Sequence, residues 1–203
     1  WFEQLYASSI ADGEGVPWAN MATHPSFANW LTEKSLQGAG KSALVVGCGM
    51  GDDAIALEKA GFTVTAFDVS DSAIALCQKR FTESSVRFVQ ADLLESQPQW
   101  RHQFDFVLEI FTVQALPPKY ESQLIDNIVD CVAKEGDLLV IAEVGAEQRH
   151  FDKGPPWLLT EEHIEAFSAR GMSVVTRTIE ADAERVGERG TFVTSFTRSA
   201  VNR

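Results

Sequence analysis

The sequence predicts an α/β fold, a doubly wound and mostly parallel sheet with helices on both faces. Short apolar runs typical of strands alternate with segments of helical spacing along most of the chain. The early runs are apolar throughout, as expected of strands that are covered on both faces. Two late strand patterns have no helical pattern between them, which predicts an antiparallel hairpin at one edge.

The predicted elements follow one another in a regular order. Residues 1–23 are rich in glycine, proline and aromatic residues and indicate an irregular arm, and residues 26–37 form a helix that ends at Gly38. The predicted strands are 43–46, 63–67, 86–89, 104–108, 138–141, 173–179 and 191–197, and the further helices are 52–60, 71–81, 120–133 and 161–169. Ser70 or Asp71 caps one helix and Thr160 another. Seven strands so arranged predict a Rossmann-like sheet, which binds ligands beyond the carboxyl ends of its strands.

Length, composition and charge restrict the functional classes. The 203 residues, 45% of them apolar, predict a single domain over residues 1–203. A net charge of -12 disfavours nucleic acids and anionic membranes as partners. The three cysteines are widely spaced and include no CxxC pair, which is typical of reduced thiols. No apolar stretch is nearly long enough for a membrane-spanning helix. A cytoplasmic protein is therefore expected. No metal site is predicted, and the oligomeric state stays open.

A glycine loop follows the first strand. Its sequence is Gly47-Cys48-Gly49-Met50-Gly51. Glycine permits positive φ and close approach of a ligand, although a tight structural turn is the alternative explanation. A dinucleotide fold requires a third glycine at position 52, where this chain has Asp52 followed by Asp53. These carboxylates would repel a pyrophosphate at the helix N-terminus, whereas S-adenosylmethionine carries no phosphate.

Two further carboxylates follow the next strands. Asp68 ends the second strand about 20 residues after the loop, where an acidic side chain can accept hydrogen bonds from both ribose hydroxyls. Asp92 follows the third strand, where its carboxylate could accept from an adenine amine. Val69 and Leu93 flank the space that an adenine ring would fill. The alternatives are ordinary turn aspartates and core side chains.

Together, the glycine loop, Asp68 and Ala91-Asp92-Leu93 resemble the class I S-adenosylmethionine-dependent methyltransferases over nearly the whole chain. Within that class, Trp1 and Pro17-Trp18 resemble the N-terminal arm of the thiopurine, thiol and halide methyltransferase group. The resemblance implies that residues 1–40 form an arm and helix covering the cofactor and that residues 41–203 form the core.

The resemblance also implies a role for each site residue. The loop residues Gly47, Cys48, Gly49 and Gly51 would contact the methionyl part of the cofactor, with Trp1 and Trp18 folded over it. Asp68 would bind the ribose, and Val69, Asp92 and Leu93 the adenine. Glu109, at the end of the fourth strand, would lie near the transferred methyl or the cofactor's ammonium, with a surface glutamate as the alternative.

Aromatic residues are the best indication of the acceptor side. They lie in predicted arm or loop segments and are Trp18, Phe111, Phe151 and Trp157. Such side chains could form an apolar pocket for a small acceptor, or pack the arm onto the sheet. Cys48 is expected to be a small fitting residue and not a nucleophile. No catalytic residue is predicted: His24 and His150 are loop candidates for a base, and His102 and His163 are expected to be exposed.

The favoured prediction is an enzyme that transfers a methyl group from S-adenosylmethionine to a small molecule, leaving S-adenosylhomocysteine. The acceptor could be a thiol, a thiopurine or a halide, or alternatively the oxygen or nitrogen of a small metabolite. Less favoured alternatives are a macromolecular methyltransferase, a nicotinamide-dependent oxidoreductase and a protein that binds the cofactor without catalysis.

Overall fold

The computed structural model describes residues 2–9, 15–17, 19–145, 155–181 and 189–199. Within these residues the strands are β1 (Ser42–Val46), β2 (Thr63–Asp68), β3 (Arg87–Gln90), β4 (Phe104–Ile110), β5 (Val132–Gly145), β6 (Met172–Ala181) and β7 (Arg189–Arg198). The helices are α1 (Phe2–Ser8), α2 (Pro25–Lys34), α3 (Asp52–Lys59), α4 (Asp71–Arg80), α5 (Glu121–Cys131) and α6 (Glu161–Ser168). The seven strands follow the order β3-β2-β1-β4-β5-β7-β6, which confirms the predicted mixed sheet.

The first compact unit, Trp1–Glu95, contains β1 to β3 and α1 to α4. Its strands are parallel, with Val46 opposite Phe67 and Asp68 opposite Gln90. The apolar run of β1 is buried, as its sequence predicted. Ser70 accepts a backbone amide from the first turn of α4, which confirms Ser70 as the cap. The register brings the residues that follow these strands to one edge of the unit.

The second compact unit, Ser96–Arg203, contains β4 to β7 with α5 and α6. β4 and β5 are parallel, β7 is antiparallel to β5, and β6 is antiparallel to β7, which confirms the predicted edge hairpin. The buried residues of α5 recur at helical spacing and include Leu124, Ile125, Ile128 and Val129. Phe167 of α6 packs against Phe196 of β7 with ring centroids 5.5 Å apart.

Three elements differ from the sequence prediction. The predicted irregular arm contains α1, because Tyr6 and its neighbours find a packed surface in the first unit. The predicted alternation breaks before β4, where the described connection holds only a 3-10 turn at Pro98–Trp100. β5 begins six residues before the predicted 138–141 run, because the buried β-branched Val132 pairs with Phe104 and ends α5. No helix in the described ranges is long and apolar enough to cross a bilayer.

Candidate functional site

The glycine loop presents bare backbone at the end of β1. Gly47, Gly49 and Gly51 have φ values of 60°, 51° and 86°, in the left-handed region that side chains rarely adopt. A Cβ on Gly51 would lie 2.9 Å from the Cys77 sulfur, and one on Gly49 would lie 3.0 Å from the Tyr6 hydroxyl. Backbone conformation therefore favours glycine at all three positions, and a side chain at Gly49 or Gly51 would also have to displace Tyr6 or Cys77.

Asp68 joins the end of β2 to the glycine loop. Its Oδ2 accepts the Gly49 amide at 3.0 Å, and its Oδ1 accepts the Ser70 amide at 3.0 Å. The residue is only 6% exposed, and burial raises the pKa of its carboxyl against the lowering effect of these amides. Each oxygen keeps acceptor capacity beyond one backbone bond, so the carboxylate is both fixed in place and able to accept from a ligand.

The residues after β3 lie beside Asp68. The Ala91 amide donates to the Asp68 carbonyl at 3.0 Å, and Oδ1 of Asp92 accepts the Leu94 amide at 2.8 Å. An aspartate in an ordinary turn forms the same bond to the amide two residues further on. The alternative interpretation of Asp92 as a turn residue therefore explains part of its geometry. Leu93 is buried, whereas Val69 is 44% exposed and leaves an apolar surface next to Asp68. An exposed apolar side chain beside a buried carboxylate suits a ring attached to a sugar.

Arg80 supports the loop from α4, a role that the sequence did not reveal. Its guanidinium donates to the Met50 carbonyl and forms a bidentate pair with Asp52 at 2.8 and 2.9 Å. The neighbouring Asp53 accepts the His24 amide at 2.8 Å, and burial raises the pKa of Asp53 to about 6. The two carboxylates of the first turn of α3 are thus held by side-chain or backbone donors of the same unit.

Cys48 lies within the loop and is buried. Its hydrogen bond with Cys77 and its burial raise the pKa of the Cys48 thiol well above its ordinary value. Cys77 in turn donates to the Gly49 carbonyl at 3.1 Å. A protonated, buried thiol is a poor nucleophile, which supports the prediction that Cys48 fills space.

Helix α1 contributes two residues that the sequence analysis missed. The Glu3 carboxylate accepts from the hydroxyls of Ser70 and Ser72, each at 2.6 Å, and from the Ser72 amide at 3.2 Å. Tyr6 is buried in a small apolar cluster with Val16 and Met50 of the same unit. The arm therefore begins with an ordered helix that is held against the N-terminus of α4 and the glycine loop.

Glu109, in the second unit, stands at the carboxyl end of β4 and is 1% exposed. Its Oε1 accepts the amides of Thr112 at 2.7 Å and Val113 at 3.0 Å. Its Oε2 is buried and has no hydrogen-bond partner among the residues that the structure describes. Burial outweighs the two amides and raises the pKa of Glu109 to about 7. The surface explanation for Glu109 is therefore wrong.

The loop after β4 meets the segment of Trp157 in the same unit. Gln114 is buried; its side-chain oxygen accepts the Glu143 amide, and its carbonyl accepts the Trp157 amide, both at 2.8 Å. Phe111 begins this loop with a φ of 59°, a strained value for an aromatic residue. Two of the predicted acceptor-side residues thus lie on segments joined through Gln114. Trp1, Trp18 and Phe151 lie outside the described residues.

The histidines differ in their surroundings. His163 is not the exposed residue that was expected: Nε2 lies 2.9 Å from the Glu121 carboxylate, and Nδ1 accepts the Thr160 amide at 3.2 Å. It completes a capping box at α6 and links that helix to α5, which is a structural role. His102 is partly exposed, 3.8 Å from Asp130. His150 lies outside the described residues.

The middle of the chain is similar to a known domain family, and the fold is similar to solved methyltransferase structures. Residues 43–136 match the model of the methyltransferase domain family. A ubiquinone biosynthesis O-methyltransferase of Pseudomonas syringae pv. tomato is 33% identical over 99 residues, which cover 46% of this chain and 41% of that protein.

Solved structures share the fold over almost the whole chain. One, from a study of the conversion of a disulfide bond into a thioacetal group during echinomycin biosynthesis, has a TM-score of 0.77 at 17% identity and covers 99% of this chain and 91% of its own. Another is a Burkholderia thailandensis 1,6-didemethyltoxoflavin-N1-methyltransferase with S-adenosylhomocysteine bound. It has a TM-score of 0.72 at 18% identity and covers 98% of this chain and 87% of its own.

Proposed function

We propose that this chain is an S-adenosylmethionine-dependent methyltransferase that methylates an oxygen atom of a small molecule. The observation that carries the proposal is the buried Asp68 carboxylate, hydrogen-bonded to Gly49 of a loop whose three glycines all have positive φ. A fixed acceptor beside bare backbone at adjacent strand ends suits a nucleoside that carries no phosphate. The cofactor, when bound, supplies a methyl group activated by a sulfonium.

The chain's residues fit this cofactor in a definite order. We assign Gly47, Cys48, Gly49 and Gly51 to the methionyl part and Asp68 to the ribose hydroxyls. Val69, Asp92 and Leu93 border the adenine. Trp1 and Trp18 remain proposed covers of this site, and Glu109 a proposed neighbour of the transferred methyl. Trp18, Phe111, Phe151 and Trp157 are the proposed acceptor-side residues.

Oxygen is preferred over sulfur or halide as the methylated atom. The curated relatives are named as O-methyltransferases, and the chain covers only 41% of the length of the one from Pseudomonas syringae. The thiopurine, thiol and halide group remains an alternative that rests on the sequence of the arm. A small-molecule acceptor and a cytoplasmic location complete the proposal, and the acidic charge of -12 supports a partner other than nucleic acid.

Calorimetry and turnover test the proposal in two steps. We expect S-adenosylmethionine and S-adenosylhomocysteine to bind, and NAD to give no heat. A panel of phenols, alcohols, amines, thiols and iodide is then assayed for release of S-adenosylhomocysteine. Turnover with a phenol or alcohol supports an O-methyltransferase, turnover confined to thiols or iodide replaces it with the alternative group, and binding of NAD alone would overturn the methyltransferase.

A further inference from the structure

A continuous chain of hydrogen bonds joins helix α1 to the glycine loop within the first unit. The Glu3 carboxylate accepts the hydroxyls of Ser70 and Ser72, each at 2.6 Å. The Ser70 amide donates to Oδ1 of Asp68, and the Gly49 amide donates to Oδ2 of the same carboxylate, both at 3.0 Å. Glu3 therefore reaches the carboxylate that we assign to the ribose through a single intermediate residue, Ser70.

Ser70 can carry this link because its polar groups are in use. The residue is fully buried, its amide is bound to Asp68, and its hydroxyl oxygen accepts the Ala73 amide at 3.1 Å. Its single hydroxyl hydrogen donates to Glu3. Because a buried hydroxyl seldom lacks an acceptor, removal of Glu3 would turn this hydrogen toward another oxygen. The Asp68 carboxylate, which Ser70 already contacts through its amide, is such an acceptor.

We propose that Glu3 is a positioning residue for the cofactor: by engaging the hydroxyl of Ser70, it keeps the remaining lone pairs of Asp68 available for the ribose hydroxyls. The inference rests on the proposed function and deepens it, because it makes cofactor affinity depend on the docking of α1 against α4. Docking of α1 and binding of the nucleoside then strengthen each other, and thermodynamic linkage requires the two effects to be equal in size.

The charge of Glu3 acts on Asp68 in the same direction. Hydrogen bonds from Ser70 and Ser72 lower the pKa of Glu3, so its carboxylate is ionised at neutral pH. Burial is the largest cause of the raised pKa of Asp68, and the negative charge of Glu3 adds to it. A more basic carboxylate accepts stronger hydrogen bonds while it stays ionised, so Glu3 would also strengthen the bonds from the ribose hydroxyls.

Titration calorimetry of Glu3→Ala tests the link. We expect the dissociation constants of S-adenosylmethionine, S-adenosylhomocysteine and adenosine to rise together, by about three- to fivefold, because all three ligands carry the ribose. Glu3→Gln keeps one acceptor oxygen and should lose less affinity. Glu83→Ala removes another exposed carboxylate of the same unit and should bind all three ligands as the wild type does.

An Asp68→Ala background shows whether Glu3 acts through Asp68. There, Glu3→Ala should change the dissociation constant of S-adenosylhomocysteine by less than about 1.5-fold, because the carboxylate that it serves is gone. The full loss of affinity in that background would overturn the proposal. So would a loss confined to the positively charged S-adenosylmethionine that disappears at about 0.5 M salt, which is the behaviour of simple charge attraction.

Hydrogen exchange of the wild type measures the same coupling from the side of α1 and needs no variant to fold. Saturation with S-adenosylhomocysteine should slow exchange of the α1 amides by about the factor in affinity that Glu3→Ala loses, and it should have little effect on α1 in Glu3→Ala. Unchanged exchange of α1 in the saturated wild type would overturn the proposal. Failure of the wild type to bind any of the three ligands is a separate result, which removes the proposed function and this inference with it.

Discussion

Two carboxylates, one in each compact unit, stand at strand ends and differ in how their hydrogen bonds are used. Asp68 at the end of β2 gives both oxygens to backbone amides, from Gly49 and Ser70. Glu109 at the end of β4 gives one oxygen to two amides and leaves the other without a partner among the described residues. Burial raises the pKa of both.

This difference decides how each carboxylate would respond to the approach of a hydrogen-bond donor. Asp68 is hydrogen-bonded to the glycine loop, so the positions of its carboxylate and of the loop are fixed before any ligand binds. Glu109 has a fixed side chain but an unsatisfied oxygen, so its free energy improves when a donor reaches it.

The largest expected effect is a pH-dependent gain in stability for Glu109→Gln. The pKa of Glu109 rises from 4.5 to about 7 on folding, so the folded state binds more protons between those values. The contribution of Glu109 to stability is therefore present below pH 4.5 and is lost as pH rises through about 7. Relative to wild type, Glu109→Gln should gain on the order of 3 kcal/mol at pH 8 compared with pH 4.5, measured by urea unfolding.

Asp53→Asn provides the comparison in the first unit. The pKa of Asp53 is raised to about 6, so the gain in stability of Asp53→Asn relative to wild type should be complete at a lower pH than that of Glu109→Gln.

The prediction for Glu109→Gln is contradicted if its stability differs from that of the wild type by the same amount at pH 4.5 and pH 8. Glu109 would then be ionised as readily in the folded as in the unfolded chain.

The next effect is on cofactor affinity through Asp68. Asp68→Ala should weaken the binding of S-adenosylmethionine by about 1–3 kcal/mol, through lost charge-assisted hydrogen bonds and a less fixed loop. Titration calorimetry measures it, with Asp71→Asn as the control because Asp71 is an exposed carboxylate three residues away. An unchanged dissociation constant for Asp68→Ala would remove its ribose role.

A smaller effect is expected from Arg80 behind the loop. Arg80→Met should cost about 1–2 kcal/mol of stability, because it leaves Asp52 and the Met50 carbonyl without their charged donor. Arg80→Lys should recover only part, since one ammonium cannot reproduce the bidentate pair. If Arg80→Met lost no stability, the pair would be solvated and irrelevant to the loop.

The sequence predicted what depends on local pattern and missed what depends on distant partners. The strands along the chain, the Ser70 cap and the position of Asp68 follow from periodicity, capping preference and the rule for strand ends, whereas the order of the strands in the sheet was not predicted. Arg80 and Asp52 are 28 positions apart, and no local signal joins them. His163 was expected to be exposed because its partner, Glu121, lies on another helix and is 42 positions away in the sequence. Helix α1 was missed because it is only seven residues long and its contacts, through Glu3 and Tyr6, are with distant residues.

The smallest expected effect tests whether α1 is held by Glu3. Hydrogen bonds from Ser70 and Ser72 lower the pKa of Glu3 below its ordinary 4.5, so this contribution is present at pH 7 and is lost as pH falls through the lowered value. Glu3→Ala should make the α1 amides exchange about two- to fivefold faster at pH 7. Glu83→Ala, an exposed residue of the same charge, should leave them unchanged.

A double-mutant cycle gives this prediction its sharpest form. Ser72→Ala removes the hydroxyl that donates to Glu3, keeps the Ser72 amide, and spares Ser70, which also caps α4. If the Glu3 carboxylate acts through Ser72, Glu3→Ala and Ser72→Ala together should speed exchange no more than Glu3→Ala alone. Additive effects would mean that the Glu3 carboxylate and the Ser72 hydroxyl act independently, and no effect of either variant would mean that α1 is held by the packing of Tyr6 and not by its charged contact with α4.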